Sequence, residues 1–324
     1  CQASAKACQN WRVFVYVAKM EYKKPPLNYE AQAKLLLKRG LVADEAILIK
    51  HLKSVNYYRL SGYLYTFRII DDNGNHLDSY YPDTCFDTVW QRYTFDRQLR
   101  LIILDGIERI EIALKTKLTQ VFSMKYGAFG YLDIKNLPRF SQDRHSIFIT
   151  KLREETQRSN EDFVQHFFKK YGDYHNDLPL WMATEIMSFG SLLTLLNGMA
   201  EQDLKVIARE FNLNVPILDS WILTLSSIRN ICAHHGRLWN RELGIKPKIP
   251  SGSKYAEWHS PIETGNKRIF GVLTIIRYML RYIAPQSAWP QRFMNLLSQY
   301  PEIPLNFMGF PKNWETHAIW KYHE

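Results

Sequence analysis

An apolar stripe constrains this chain more than any other feature. Leu99, Ile103, Ile107, Ile110, Leu114 and Leu118 recur every three or four residues, a rhythm that lines one side of an α-helix and would scatter over both faces of a strand. It predicts one long helix from about Phe86 to Lys125, with Gly106 inside it allowing either close packing or a slight bend. Such a stripe must be buried, and the rest of the chain offers helical partners. Phe163 to Tyr171 reads as helix, and Asp177-Leu178-Pro179-Leu180 opens another that runs through Met199. Pro216 stands in the first turns of a third, and Phe270 to Ile283 forms a fourth. The expected fold class is all-α.

The flanks are less regular. From Tyr29 to Tyr63 the pattern gives short helices broken at Gly40 and Gly62, the second capped by Asp44 and carrying Ala46, Ile47, Ile49, Leu52 and Val55 on its apolar side. Asn73-Gly74, within Asp71-Asp72-Asn73-Gly74-Asn75, suits the positive dihedrals of a small hairpin insert. Residues 125–160, with Pro138 and Asp143 among several charges, read as a surface excursion between helices. Trp289, Trp314 and Trp320 in the tail read as packing groups rather than a ligand cage. Residues 1–19 show no helix start tied to the elements after Met20 and read as an extension ahead of that residue, with a strand over Trp11 to Val17 as the competing reading. The organisation expected is that extension, an N-terminal helical region over 20–84 with the irregular or hairpin insert, a helical domain over 85–284, and a tail over 285–324 that packs on the bundle.

With 324 residues, 46% hydrophobic and 14% aromatic, the chain has enough apolar material for one large or two medium domains and is not a disordered or fibrous protein. The 42 Lys and Arg against 32 Asp and Glu, a net charge of +10, favour a polyanionic partner, although a solvated basic surface gives the same balance. Cys1, Cys8, Cys85 and Cys232 lack both the close pairs of a zinc site and the density of a secreted disulfide scaffold. A cytoplasmic location is expected, and no membrane span, because no run of about 20 apolar residues occurs. Phe270 to Tyr282, with Arg277 and Arg281 inside it, reads as an amphipathic helix. No glycine-rich phosphate loop follows a strand, which argues against nucleotide-dependent chemistry. Asp105, Glu108 and Glu111 lie along one face of the long helix, but no histidine joins them and Arg109 and Lys115 compete, so neither metal nor cofactor is expected.

The chemistry concentrates in Arg229-Asn230-Ile231-Cys232-Ala233-His234-His235-Gly236-Arg237-Leu238-Trp239-Asn240-Arg241. Trp221, Leu225, Ile228 and Cys232 mark the core stripe of a helix, so Asn230 and His234 fall one turn apart on the opposite face, joined there by Ser226 and Ser227, with Arg229 at the flank. Gly236 is expected to weaken or bend the helix just after the histidines. Core packing does not explain this polar face. RNA carries its own nucleophile, the 2′-OH, and an imidazole can take that proton while a guanidinium holds the scissile phosphate with two prongs. Satisfied polar residues at a helix interface are the bland alternative. Around this centre, His235, Arg237, Arg241 and the basic loop 242–268 with Lys246, Lys248 and Lys254 are expected to contact the RNA backbone. Glu108 or Glu111 would orient Arg229, and Glu185 would be a buried acid partner or simply structural. Tyr57, Tyr58, Arg59 and Tyr63 read either as base-stacking groups or as core and interface residues.

Four stretches, Arg39-Gly40-Leu41 with Asn56 to Tyr63, Tyr93 to Arg100 with Ile107 to Glu111, Pro179 to Glu185 with Phe189-Gly190, and Arg229 to Arg241, resemble the Abi-like family. This is the AbiD/AbiF group of bacterial abortive-infection proteins, whose RNxxxH element places them in the HEPN superfamily. The resemblance runs from about Tyr22 to about Tyr282. It implies a HEPN-type helical bundle, paired across a two-fold homodimer that brings two RNxxxH elements into one basic cleft. It also implies a metal-independent endoribonuclease that stops the growth of phage-infected cells, leaving 2′,3′-cyclic phosphate ends, with Arg229 and His234 as the catalytic pair and Asn230 in support. Some members are encoded beside a small structured RNA that holds them in check, so the implied partners are an RNA substrate and such an inhibitory RNA. A non-catalytic RNA-binding regulator or toxin is the alternative, and an interaction component of a defence system is a third reading.

Overall fold

The computed structural model describes residue 21 and residues 24–321. The N-terminal extension, its competing strand, Cys1 and Cys8 lie outside the described residues. The fold is predominantly α-helical with one antiparallel hairpin. It divides into two compact units, one formed by the described residues up to Arg59 with Phe67–Phe86, the other by Leu60–Thr66 and the described residues from Asp87 onward.

In the first unit, α1 (Tyr29–Lys38) is capped by Asn28, which accepts from Ala31 N–H, and α2 (Glu45–Ser54) by Asp44, which accepts from Ile47 N–H. Gly40, at φ +96°, ends α1 as expected. Gly62 does not end α3 (Tyr57–Leu64) but lies within it. The hairpin of β1 (Arg68–Ile70) and β2 (His76–Tyr80) pairs Arg68 with Tyr80 and Ile70 with His76. Its turn differs from the expected two-residue form. Gly74 has positive φ and Asn73 does not, because the Asp71 carboxylate accepts from the N–H groups of Asn73 (3.0 Å) and Asn75 (2.7 Å) and spreads the reversal over five residues. Arg39 ties this unit together, donating to Tyr57 Oη (2.8 Å) and Asp78 (3.2 Å).

The second unit is built on α4 (Phe86–Tyr126). All six stripe residues are completely buried. Gly106 serves packing: a Cβ there would stand 2.5 Å from Ile276 Cγ2 and 2.8 Å from Trp289 Nε1. Residues 125–160 are not a surface excursion. They contain α5 (Gln142–Arg158), whose His145, Phe148, Ile149 and Leu152 are buried at i, i+3, i+4 and i+7. After α6 (Asp162–Tyr171), the single helix expected through Met199 is two, α7 (Leu180–Ile186) and α8 (Phe189–Gly198). The break has a cause. Ser188 turns extended, caps α8 through Ser191 N–H, and with the Ser191 hydroxyl donates to Glu155 (2.8 Å each).

Then follow α9 (Glu201–Arg209), α10 (Val215–Ala233), α11 (Ile269–Ile283) and α12 (Trp289–Gln299). Asp203 of α9 receives Lys125 Nζ (2.7 Å) and Tyr126 Oη (2.8 Å) from the end of α4. Trp289, Trp314 and Trp320 are buried packing groups, clustered with Phe270, Phe293 and Phe310 at ring separations of 4.6 to 6.4 Å. Arg277 and Arg281 reach from α11 to the carbonyl of Ile319 (2.7 Å each). Among the described residues no helix is long and apolar enough to cross a membrane.

Candidate functional site at the end of helix α10

Helix α10 begins where Asn214 accepts from Ile217 N–H (3.0 Å) and Pro216 occupies the first turn. Trp221, Leu225, Ile228 and Cys232 are buried as their spacing predicts, and burial pushes the Cys232 thiol up to about 12, which makes it a packing group. Leu223, Ser227, Asn230 and His234 line the opposite side, each exposed or half-buried. Ser226, expected among them, is only 8% exposed, because it lies at the margin where the face turns toward the core. Arg229 is half-buried at the flank.

The helix closes at Ala233 and His234 is its cap. His234 N–H donates to Asn230 O (3.0 Å), His235 N–H to Cys232 O (3.0 Å) and Gly236 N–H to Ile231 O (2.7 Å). That pattern is a Schellman closure, which needs one left-handed residue. The left-handed position is filled by His235 (φ +57°), not by the glycine. Gly236 answers a different constraint, since a Cβ there would sit 2.9 Å from Ile231 Cγ2 and 3.1 Å from Ile231 O. The expected weakening at Gly236 is thus a tight, hydrogen-bonded helix end.

The other predicted residues are mostly committed elsewhere. Arg237 is half-buried and donates to Gly62 O (2.8 Å), and desolvation holds its guanidinium below the ordinary arginine value. Arg241 donates to Arg237 O (3.2 Å), Lys246 pairs with Glu242 (2.8 Å), and Lys254 lies 5.1 Å over the Tyr255 ring. Lys248 is exposed, and its backbone straps the basic loop to α10: its N–H meets Ser220 Oγ (2.9 Å) and its carbonyl takes Trp221 Nε1 (2.8 Å). The expected carboxylate support for Arg229 is not formed. Glu111 pairs with Lys115 (3.6 Å), while Glu108 and Glu185 are exposed. Asp105 is taken by Arg109 (3.3 Å) and Arg292. Tyr63 is buried, and Tyr58 is 85% exposed.

Against these committed groups, the side chains of Arg229, Asn230 and His234 have no hydrogen-bond or ion-pair partner among the described residues. A guanidinium, an amide and an imidazole therefore stand uncommitted within six residues at the helix end. Together they can hold an anion, orient it and move a proton.

Behind them lies a centre that the motif reading missed. Asp96 of α4 is fully buried, and its Oδ1 accepts from the N–H groups of Leu238 (3.1 Å) and Trp239 (2.7 Å). Its Oδ2 accepts from Tyr63 Oη (2.6 Å) and from the buried Arg100 (2.5 Å). Burial pushes this carboxyl above the ordinary carboxylate range, opposed by its four donors. The same burial, reinforced by Asp96, raises the Tyr63 phenol. Trp239 stacks on Tyr63 at 6.4 Å, with Arg92 4.9 Å over its ring. A signal was present in the sequence: Asp96 and Arg100 flank Leu99 on the buried side of the long helix, four residues apart, where unpaired charges are not tolerated.

Three of the similar stretches, those ending at Tyr63, Arg100 and Arg241, thus meet at one carboxylate. A family model described as Abi-like protein matches residues 50–240. The chain belongs to the Abi-like family. The matched span takes in Tyr63, Asp96 and Arg100 of this Abi-like chain together with Arg229, Asn230 and His234 at the end of α10. No curated protein and no solved structure matches the chain.

Proposed function

We propose that this Abi-like protein is a metal-independent endoribonuclease of the HEPN type, acting in abortive infection. One observation carries the reading: Arg229, Asn230 and His234 at the end of α10 have no hydrogen-bond or ion-pair partner among the described residues, while the neighbouring Arg100, Arg237 and Arg268 are all engaged in structural hydrogen bonds. His234 takes the 2′-OH proton, the oxygen attacks the adjacent phosphorus as the bond from phosphorus to the 5′-oxygen breaks, and the leaving 5′-oxygen takes a proton from water while His234 returns its own to solvent. The products are a 2′,3′-cyclic phosphate and a 5′-OH end. Arg229 holds the phosphate and offsets the charge developing on its oxygens, and Asn230 orients phosphate or imidazole. DNA, lacking the 2′-OH, is refused. His235, Arg241, Lys246, Lys248 and Lys254 supply exposed polar or basic groups along the strand's path. Arg237, anchored to Gly62, shapes the site rather than binding RNA. The line Leu223, Ser227, Asn230 on α10, exposed at both ends and half-buried at Ser227, suits a second copy of the chain, which would place two sites in one cleft, and a small structured RNA is a fitting inhibitor for it.

The test is incubation of RNA-free protein, and of His234→Ala and Arg229→Ala, with end-labelled total RNA in EDTA, followed by chemical mapping of the cut ends. Cleavage by wild type alone, leaving cyclic phosphate, is expected. Tight, salt-sensitive RNA binding without cleavage would replace the enzyme with a non-catalytic RNA-binding regulator.

A further inference from the structure

We propose that Asp96 is a positioning residue for the His234 end of the site, acting through the backbone of Leu238 and Trp239; this rests on the ribonuclease reading above. The segment 234–239 is pinned at both ends. On one side the Schellman bonds fix His235 and Gly236 to Cys232 O and Ile231 O (3.0 and 2.7 Å). On the other, Asp96 takes the consecutive N–H groups of Leu238 and Trp239. The only residue between these anchors is Arg237, itself bound to Gly62 O (2.8 Å).

Arg100 closes the set. It pairs with Asp96 and points the same nitrogen toward Gly236 O (3.5 Å), so a single buried ion pair contacts the segment at positions 236, 238 and 239. A carboxylate is the side chain this place requires. Four donors converge on two oxygens, and no neutral side chain of that size accepts four hydrogen bonds while balancing a buried guanidinium. His234 is exposed, and its imidazole has no hydrogen-bond or ion-pair partner among the described residues. Where that ring is rooted, and so what it can reach, is therefore set by the backbone that carries it, and the segment that follows is held by Asp96. In a reaction that needs hydrogen-bond alignment at the 2′-OH, displacement by an ångström is costly in rate and nearly silent in binding.

The test uses the full chain and two variants. Asp96→Asn removes the charge and one acceptor face. Asp96→Asn with Arg100→Gln removes the charge from both partners and keeps the protein foldable if the single variant fails. Cleavage of a single-stranded oligoribonucleotide is measured at saturating substrate, and affinity for the same oligonucleotide is measured in a His234→Ala background. Histidine ring signals are recorded by NMR and assigned with His234→Asn and His235→Asn. We expect cleavage at least tenfold slower, affinity within about threefold, and shifted or broadened signals for His234 and His235 only, with His145 and His317 unchanged. Wild-type cleavage and wild-type His234 signals in a folded variant would overturn the assignment, as would equal disturbance of all the histidines, which marks a general loss of structure. If the wild-type chain cuts no RNA, the ribonuclease reading fails on its own and the ring signals still decide whether Asp96 positions His234.

Discussion

Replacing Gly106 with alanine isolates the packing of α4 from its helix propensity. In an open helix the exchange stabilises by about 1 kcal/mol. Here the new methyl would lie 2.5 Å from Ile276 Cγ2 and 2.8 Å from Trp289 Nε1, against an ordinary contact of roughly 3.5 Å or more. Trp289 cannot retreat freely, because its Nε1 donates to Ile102 O at 2.7 Å and the ring is fully buried. Overpacking costs about 1–3 kcal/mol, and an indole N–H left unpaired adds about 1–3 kcal/mol. The net expectation is a loss of about 2 kcal/mol or more. With a urea m-value of about 3 kcal/mol/M, the midpoint should fall by about 0.7 M. Gly190→Ala is the matched control. It is also helical, but the nearest atom to its new Cβ is 3.8 Å away, so it should gain about 0.5 kcal/mol. Tryptophan fluorescence during urea titration reads both. A Gly106→Ala protein as stable as wild type, or a Gly190→Ala protein equally weakened, would refute the packing argument.

Other outcomes follow from single sites. His317 is fully buried, its Nδ1 accepting from Ile319 N–H (3.1 Å) and its Nε2 meeting Thr264 Oγ1 (2.7 Å), and desolvation lowers it to about 4. Its unfolded value lies near 6.5, so the folded state binds fewer protons below that pH; stability is complete above about 6.5 and declines toward pH 4 by up to roughly 3 kcal/mol. His317→Gln should flatten that decline in urea titrations run from pH 7 to 4.5, and an unchanged slope would remove His317 as its source. Cys232, buried and raised to about 12, should resist iodoacetamide at pH 8 until urea unfolds the chain, whereas half-buried Cys85 should react first; peptide mass mapping distinguishes the two. Lys248→Ala should lower the slope of log affinity against log salt by about 0.7 for a single-stranded RNA, and an unchanged slope would place this lysine off the strand's path.

The long helix was legible because its stripe is uniform over six positions, and each of those positions proved fully buried. Helix α5 was not, because its four buried residues alternate with Arg144, Lys151, Arg153, Glu154 and Glu155, and charge density concealed the period. The α7–α8 break was hidden for another reason: Ser188 and Ser191 read as small packing residues, and Glu155, which they share, is more than thirty residues away in sequence. At the site, helical spacing placed Asn230 and His234 on the exposed face correctly, since that inference needs only 100° per residue. The carboxylate partners assigned to Arg229 were not found, because same-helix geometry gives Glu111 to Lys115 before any cross-bundle partner can compete. Asp96 was visible only as an anomaly, a charge on a buried face, whose meaning required the segment it holds.

The double pinning of residues 234–239 separates what that segment can vary from what it cannot. The Schellman bonds and the Asp96 bonds are all made by main-chain groups, which any non-proline residue supplies. These bonds therefore fix the count of links in the loop, whatever its side chains require separately: packing at Leu238 and Trp239, and the bond of Arg237 to Gly62 O. One residue added or removed between Ile231 and Leu238 would carry every later amide past its acceptor. In a library of random variants, insertions and deletions should be absent from this stretch even at positions where substitutions survive.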